Sequence, residues 1–197
     1  MSKAEKTREF IIQKAASVFN MKGYAGTSMS DLTEATGLTK GAIYGNFENK
    51  DAVALAVYDY NYSLIHDEVE SVVIQYSSRL DQLYAMAAFY RTNYKKLITR
   101  GGCPILNTAV EADDSHPELR ARAAGSIISW KKLIERIIEK GKENGEIRTD
   151  ANGREFGIAF VALIEGGIMM TKATGDSANL DTCVEVIEQL ITTRLKN

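Results

Sequence analysis

The sequence predicts an all-α protein of about nine helices. Apolar residues recur at intervals of three and four along most of the 197-residue chain, which is the period of an amphipathic helix. Only two prolines occur, and no stretch alternates apolar and polar residues around a hairpin turn, as the strands of a sheet would. These observations leave no segment that favours a β-sheet.

The predicted helices follow one another with short breaks. The first runs from about residue 3 to residue 22 and ends at Gly23. Its apolar face is formed by Ile12, Ala15, Ala16 and Phe19. Two short helices at about 29–36 and 40–46 precede a long one that begins after Asn49 and reaches about residue 76. Breaks containing glycine or aspartate separate the remaining helices, at about 79–99, 105–112, 116–144, 152–171 and 178–195.

The composition is that of a protein that buries a core, with 45% apolar and 25% charged residues. The net charge of −2 is unevenly spread: the first 50 residues carry seven basic and five acidic side chains, a net charge of +2. A mildly basic N-terminal part permits local contact with nucleic acid. We expect no apolar run long enough to span a bilayer and no signal peptide. With only Cys103 and Cys183 as thiols, we expect a cytoplasmic protein.

Residues 27–50 predict a helix, a tight turn and a second helix. Ser28 and Asp31 have the spacing of a capping box, Gly37 suits the sharp turn, and Thr39 can cap the second helix. The small core that the two helices share consists of Leu32, Ala35, Leu38, Ile43 and Phe47. This arrangement leaves Lys40, Gly41, Tyr44 and Asn46 facing outwards.

The outward side chains suit DNA. Lys40 lies at the start of the second helix, from which it can reach a base edge or a phosphate. Gly41 and Gly45 remove bulk so that the backbone can come close, and Tyr44 offers a hydroxyl on a rigid side chain. Lys50 adds a positive charge where the next helix begins.

The segment from Thr27 to Lys50, with the preceding Phe19 to Tyr24, resembles the DNA-binding domain of the tetracycline-repressor (TetR) family. The resemblance implies an all-helical homodimer that binds a palindromic operator, with a helix-turn-helix domain at 1–48 and an effector-binding and dimerisation domain at 49–197. By position, the residues that would face bases are Ser30, Lys40, Gly41 and Ala42. Those that would face phosphates are Thr27, Ser28, Thr39, Tyr44, Asn46 and Lys50.

The body of the chain resembles one branch of the family's effector domains, which includes regulators of drug and electrophile responses. The resemblance lies in Gly102 to Asn107, Glu111, and Asp114 to Leu119. A site for a small apolar or aromatic effector would combine apolar walls with a few polar anchors. The candidates are His66, Met86, Phe89, Tyr90, Asn107, Trp130, Glu165 and Met169. The alternative, which the sequence favours for any one of them, is plain core packing.

Two apolar stripes near the C-terminus suit the four-helix dimer interface that the family forms from its last two helices. The candidate interface residues are Phe160, Ile164, Gly167, Val184, Ile187 and Ile191. The alternative is that these stripes form an intramolecular core.

Little in the chain indicates catalysis. Two histidines are too few for a metal cluster, and no nucleophile elbow or phosphate-binding loop occurs, so we expect no metal, no cofactor and no enzyme activity. Ser115 and Glu118 have the spacing of a second capping box, which would explain the polar run at 113–116 without a metal. Cys103, before Pro104 at a predicted helix start, is a candidate redox switch with Lys172 as its partner, because a helix N-terminus and an ammonium both favour a thiolate. The alternative is a small buried residue that fills a turn.

Overall fold

The computed structural model describes all 197 residues and confirms the all-α prediction. Nine α-helices are followed by one turn of π-helix at Ile191–Leu195. The helices are α1 (Lys3–Gly26), α2 (Met29–Thr36), α3 (Lys40–Tyr44), α4 (Lys50–Val73), α5 (Arg79–Thr99), α6 (Pro104–Ala112), α7 (Pro117–Glu143), α8 (Gly153–Thr174) and α9 (Ala178–Leu190).

Helix α1 differs from its prediction in two ways. It does not stop before Gly23: the chain bends there, with a φ of 73° at Gly23, and resumes as helix to Gly26. Its core face centres on Ile11, which is fully buried, whereas Ile12 is only half-buried. The one-residue shift arises because two neighbouring isoleucines fit the helical period almost equally well.

The chain forms two compact units. Unit 1 contains residues 1–65 and 100–124, and unit 2 contains residues 66–99 and 125–197. Unit 1 is larger than the predicted DNA-binding segment 1–48, because side chains from α4, α6 and α7 share its core. Those side chains include Val53, Ala54, Val57, Tyr58, Ala112, Leu119 and Ala123.

In unit 2, α8 and α9 pack directly against each other. A Cβ atom at Gly167 would lie 2.9 Å from Leu180 Cδ1 and 3.2 Å from Cys183 Cβ, so the two helices approach closely at that glycine. All six residues predicted for the dimer interface are buried within this unit: Phe160, Ile164, Gly167, Val184, Ile187 and Ile191. The structure therefore gives them an intramolecular role, the alternative that the sequence left open.

Helix α8 is also long and apolar enough, by length and composition alone, to cross a membrane, contrary to the expectation that no run would be. Half of its most apolar window is buried inside the protein. Phe160, Ile164 and Ile168 supply that buried face. A helix in the core of a protein in water meets the same criterion of length and composition, so the criterion alone is weak evidence for a membrane span.

Candidate nucleic-acid interface

The helix-turn-helix forms through the local contacts that the sequence predicts. The Ser28 hydroxyl accepts a hydrogen bond from the backbone N–H of Asp31, and the Asp31 carboxylate accepts one from the backbone N–H of Ser28 at 2.7 Å. Gly37 ends α2 in the left-handed conformation, with a φ of 66°. The Thr39 hydroxyl accepts from the N–H of Ala42 and so caps α3. Both predicted caps and the predicted turn are confirmed.

Buried side chains fix which face of α3 is outside. Ile43 is fully buried and Phe47 almost so, and both pack with Leu32 of α2 in the core of unit 1. Of the predicted base-facing residues, Lys40 and Gly41 of α3 are exposed and Ala42 is half-buried, and Ser30 of α2 is exposed. No heavy atom outside the local helix lies within 4 Å of a Cβ placed at Gly41, so the surface there is open.

Two lysines at this surface lie over tyrosine rings. The Lys40 ammonium is 5.7 Å from the centroid of the exposed Tyr44 ring. The Lys50 ammonium is 4.3 Å from the centroid of the Tyr24 ring. The attraction between an ammonium and a ring face restricts each long side chain while leaving its charge available to a phosphate.

The other predicted phosphate contacts have mixed placements. Ser28 and Thr39 are exposed and also serve as helix caps. Asn46 is half-buried, and its side-chain amide donates to the carbonyl of Ala42. Thr27 departs from the prediction: it is 1% exposed, and its hydroxyl donates to the carbonyl of Gly23 at 2.6 Å. In this structure Thr27 supports the bend in α1 and does not face solvent.

Sequence reasoning missed two residues that brace the motif. The Lys22 ammonium lies 2.5 Å from the Asp31 carboxylate and joins α1 to α2. Hydrogen bonds from Lys22 and then Ser28 hold the pKa of Asp31 well below its usual range. The Arg8 guanidinium lies 4.0 Å from the centroid of the Phe47 ring. Each pair joins residues of different structural elements, beyond the spacing of a single helical turn, so the helical period gave no signal for them.

The predicted effector residues divide between a buried cluster and scattered positions. In unit 2, the Phe89 ring meets the Tyr90 ring edge to face at 5.3 Å between centroids, and the Tyr90 ring is tilted against that of Trp130 at 5.5 Å. The Trp130 ring in turn lies 6.3 Å from that of Phe160. Met86 on α5 is fully buried in the same unit. Phe89, Tyr90, Trp130 and Phe160 form one aromatic cluster.

The remaining effector candidates lie elsewhere. His66 is exposed on α4 beside Asp67, and Met169 is 51% exposed on α8. Glu165 is half-buried on α8, and Asn107 belongs to unit 1. His66 and Asp67 approach Glu70 closely enough to hold an ion, but exposed acidic groups commonly lie together without one.

The two members of the predicted thiol switch lie in different units. Cys103 is 4% exposed and sits immediately before the first residue of α6. Lys172 is exposed in the last turn of α8. Cys183, the second thiol, is buried in unit 2, and burial raises its pKa.

Comparison with known proteins matches both parts of the chain to one family. Residues 11–57 match the profile described as bacterial regulatory proteins of the tetR family, and residues 79–187 match the tetracyclin repressor-like C-terminal domain. A TetR-family transcriptional regulator from Cytophaga hutchinsonii is 44% identical, with a TM-score of 0.94 and coverage of 99% of this chain and 98% of that one. A TetR transcriptional regulator from Chloroflexus aurantiacus J-10-FL is 34% identical, with a TM-score of 0.95 and coverage of 100% and 99%.

Similarity to a transcriptional repressor extends over nearly the whole chain. The transcriptional repressor DhaR of Mycobacterium sp. strain GP1 is 26% identical over 194 residues, which cover 96% of this chain and 94% of DhaR. The chain therefore belongs to the TetR family of DNA-binding transcriptional regulators.

Proposed function

We propose that this protein is a homodimeric repressor that binds a palindromic operator and is released from it by a small apolar or aromatic effector. The observation that carries the proposal is the exposed surface of α2 and α3, where Ser30, Lys40 and Tyr44 flank the capped start of α3. In helix-turn-helix proteins the N-terminal residues of the second helix contact base edges in the major groove. The testing experiment is a gel shift with the DNA flanking the protein's own gene, with unrelated DNA as competitor.

Two lysines are expected to contribute charge to DNA binding. Lys40→Ala and Lys50→Ala should each weaken binding to that duplex. Lys50→Ala should also reduce the slope of log affinity against log salt by about one unit, because it removes a phosphate contact. Fluorescence anisotropy at several salt concentrations measures both quantities. Lys132→Ala, at an exposed lysine of α7 in unit 2, is the matched control and should change neither. Wild-type affinity in either lysine variant would place that lysine away from the DNA.

The dimer surface that we propose is the outer face of α8, opposite the face that packs on α9. At 3.6 residues per turn, Ile158, Ala162, Gly166 and Met169 lie on one stripe. Ile158 is 48% exposed, Ala162 is exposed, and a Cβ at Gly166 would meet no neighbouring heavy atom within 4 Å. Two-fold pairing of such a stripe joins two DNA-binding heads, as a palindrome of two half-sites requires.

The aromatic cluster of unit 2 is the proposed effector site. Met86, Phe89, Tyr90 and Trp130 supply apolar walls with a phenol and an indole N–H among them, which suits a small aromatic molecule. Release of DNA needs a coupling free energy of only about 1–3 kcal/mol between the two sites. A ligand screen by thermal shift, followed by operator release, tests this assignment.

An alternative trigger is oxidation or alkylation of Cys103. The observation that favours it is the place of the thiol at the start of α6, directly after Gly101 and Gly102, which have φ values of 98° and 90°. Modification would put a larger group into a buried turn and displace α6.

The thiol-switch alternative predicts that a quinone or hypochlorite releases the wild-type protein from DNA but not Cys103→Ser. Cys183→Ser is the matched control, because that thiol is also buried, and it should respond like wild type. Operator release is read by gel shift, and labelling of each thiol by mass spectrometry. Equal release of the Cys103 variant would leave the effector as the trigger.

Regulators of this kind act where the chromosome is, so we place the protein in the cytoplasm. We propose no enzyme activity for it.

A further inference from the structure

The bend in α1 lies directly before the helix-turn-helix. Gly23 has a φ of 73°, and the helix that restarts after it is only three residues long. The N–H groups at such a restart have no partner within the helix. Thr27 follows the short helix, and Ser28 then caps α2. The direction in which α2 leaves α1 is therefore set at this bend.

A carboxylate from α6 occupies the bend. The two carboxylate oxygens of Glu111 accept hydrogen bonds from the backbone N–H groups of Tyr24 and Ala25, each at 2.8 Å. Hydrogen bonds to an ionised acceptor are about twice as strong as those between neutral groups. A Cβ atom at Gly23 would overlap the Glu111 carboxyl group, so the glycine gives the carboxylate its space. Glu111 thus plays the part of an N-cap for the three-residue helix at 24–26, although it belongs to α6.

A second contact lies one helical turn earlier on both helices. Asn107 of α6 donates to the side-chain oxygen of Asn20 at 3.0 Å and to the carbonyl of Gly101 at 2.8 Å. The Asn20 amide in turn donates to the carbonyl of Arg100 at 2.6 Å. Asn107 and Glu111 are four residues apart, as are Asn20 and Tyr24, so α6 holds α1 at two successive turns.

Tyr24 extends this hold to the start of α4. Its hydroxyl donates to the Asp51 carboxylate, and this hydrogen bond raises the pKa of Tyr24 to about 12. Its ring meets His116 edge-to-face at 4.6 Å between centroids. The Lys50 ammonium lies 4.3 Å from the centroid of the same ring. Glu111 therefore fixes the backbone of Tyr24, and the ring of Tyr24 lies under Lys50, the proposed phosphate-binding lysine.

We propose that Glu111 is a positioning residue for DNA binding: its carboxylate fixes the bend at Gly23 and thereby places both α2–α3 and Lys50. This inference rests on the proposed function. It gives a role to Asn107 and Glu111, two members of the segment that resembles the effector domains of drug- and electrophile-responsive regulators. That role lies within unit 1, between α6 and α1.

The test compares full-length Glu111→Ala and Glu111→Gln with wild type and with Glu118→Gln, a charge control at an exposed glutamate of the same unit. We expect binding to the DNA flanking the protein's own gene to weaken about tenfold in the alanine variant, from the loss of two charge-assisted hydrogen bonds. The glutamine variant should weaken it less, because its amide keeps one acceptor oxygen. The salt slope should stay at the wild-type value, since no phosphate contact is lost.

A measurement that needs no DNA tests the positioning role of Glu111 separately from the proposed repressor function. Hydrogen exchange at the Tyr24 and Ala25 amides should become faster in both Glu111 variants and stay unchanged in Glu118→Gln. Gly23→Ala should cost less binding in the Glu111→Ala background than in wild type, because the overlap with the carboxyl group is gone and only the strain of a positive φ remains. Folded Glu111 variants with wild-type affinity would overturn the positioning role. Failure of the wild-type chain to prefer its own flanking DNA would overturn the proposed function, with the exchange result still deciding whether Glu111 holds the bend.

Discussion

A chain that carries Ile158→Glu and Met169→Glu is expected to be a folded monomer that binds its operator on the order of 100-fold more weakly than wild type, because the second DNA-binding head no longer adds its affinity. Both side chains are about half-exposed, at 48% and 51%, on the outer face of α8. In a two-fold interface each substitution appears twice, so the double variant brings four like charges together. The free energy of burying these carboxylates without partners exceeds the free energy that an apolar interface of this kind contributes to dimerisation.

Sedimentation gives the mass, circular dichroism gives the helix content, and anisotropy gives the affinity. The matched control is Ile74→Glu, which places the same charge at a 69% exposed isoleucine just beyond α4. It should remain dimeric and bind as wild type does. A double variant that stays dimeric would move the interface away from the outer face of α8.

The helix-turn-helix could be predicted almost residue by residue because it depends on local chemistry. The Ser28 capping box, the turn at Gly37 and the Thr39 cap each involve residues at most a few positions apart, so their spacing in the sequence is their geometry. The placement of Thr27 could not be predicted in this way. Its burial depends on the bend at Gly23, which a carboxylate 88 residues further along the chain occupies.

The faces of α8 show a different limit. Phe160 and Ile164 on one side and Ile158 and Met169 on the other are all large and apolar, so the helical period alone cannot tell the core face from an exposed one. The packing of α9 at Gly167 decides the matter, and that contact joins two helices across a loop. The same limit applies to the effector candidates: Phe89 and Trp130 belong to one cluster with Tyr90, while His66 and Met169 face solvent.

Gly166 and Gly167 give the sharpest test of which face of α8 belongs to the core and which to the proposed dimer interface. Gly167→Glu is expected to lower the free energy of unfolding by at least about 3 kcal/mol, and so to abolish folding of a marginally stable chain, because a charge without a partner is forced into the core. The new side chain would begin 2.9 Å from Leu180 Cδ1 and 3.1 Å from the Leu180 Cα atom, and that backbone cannot easily yield. If Gly167 lay between subunits, where the sequence placed it, this variant would instead form monomers or aggregates and lose operator binding.

Gly166→Glu is the matched control, with the same charge one residue earlier, where a Cβ meets no neighbouring heavy atom within 4 Å. We expect this variant to keep wild-type helix content and to be monomeric, because Gly166 lies on the outer stripe between Ala162 and Met169. Urea unfolding followed by circular dichroism separates the two variants, and light scattering gives their masses. If Gly167→Glu folds with wild-type stability and only the dimer is lost, the close contact between α8 and α9 is not part of the monomer's core, and Gly167 returns to the subunit interface.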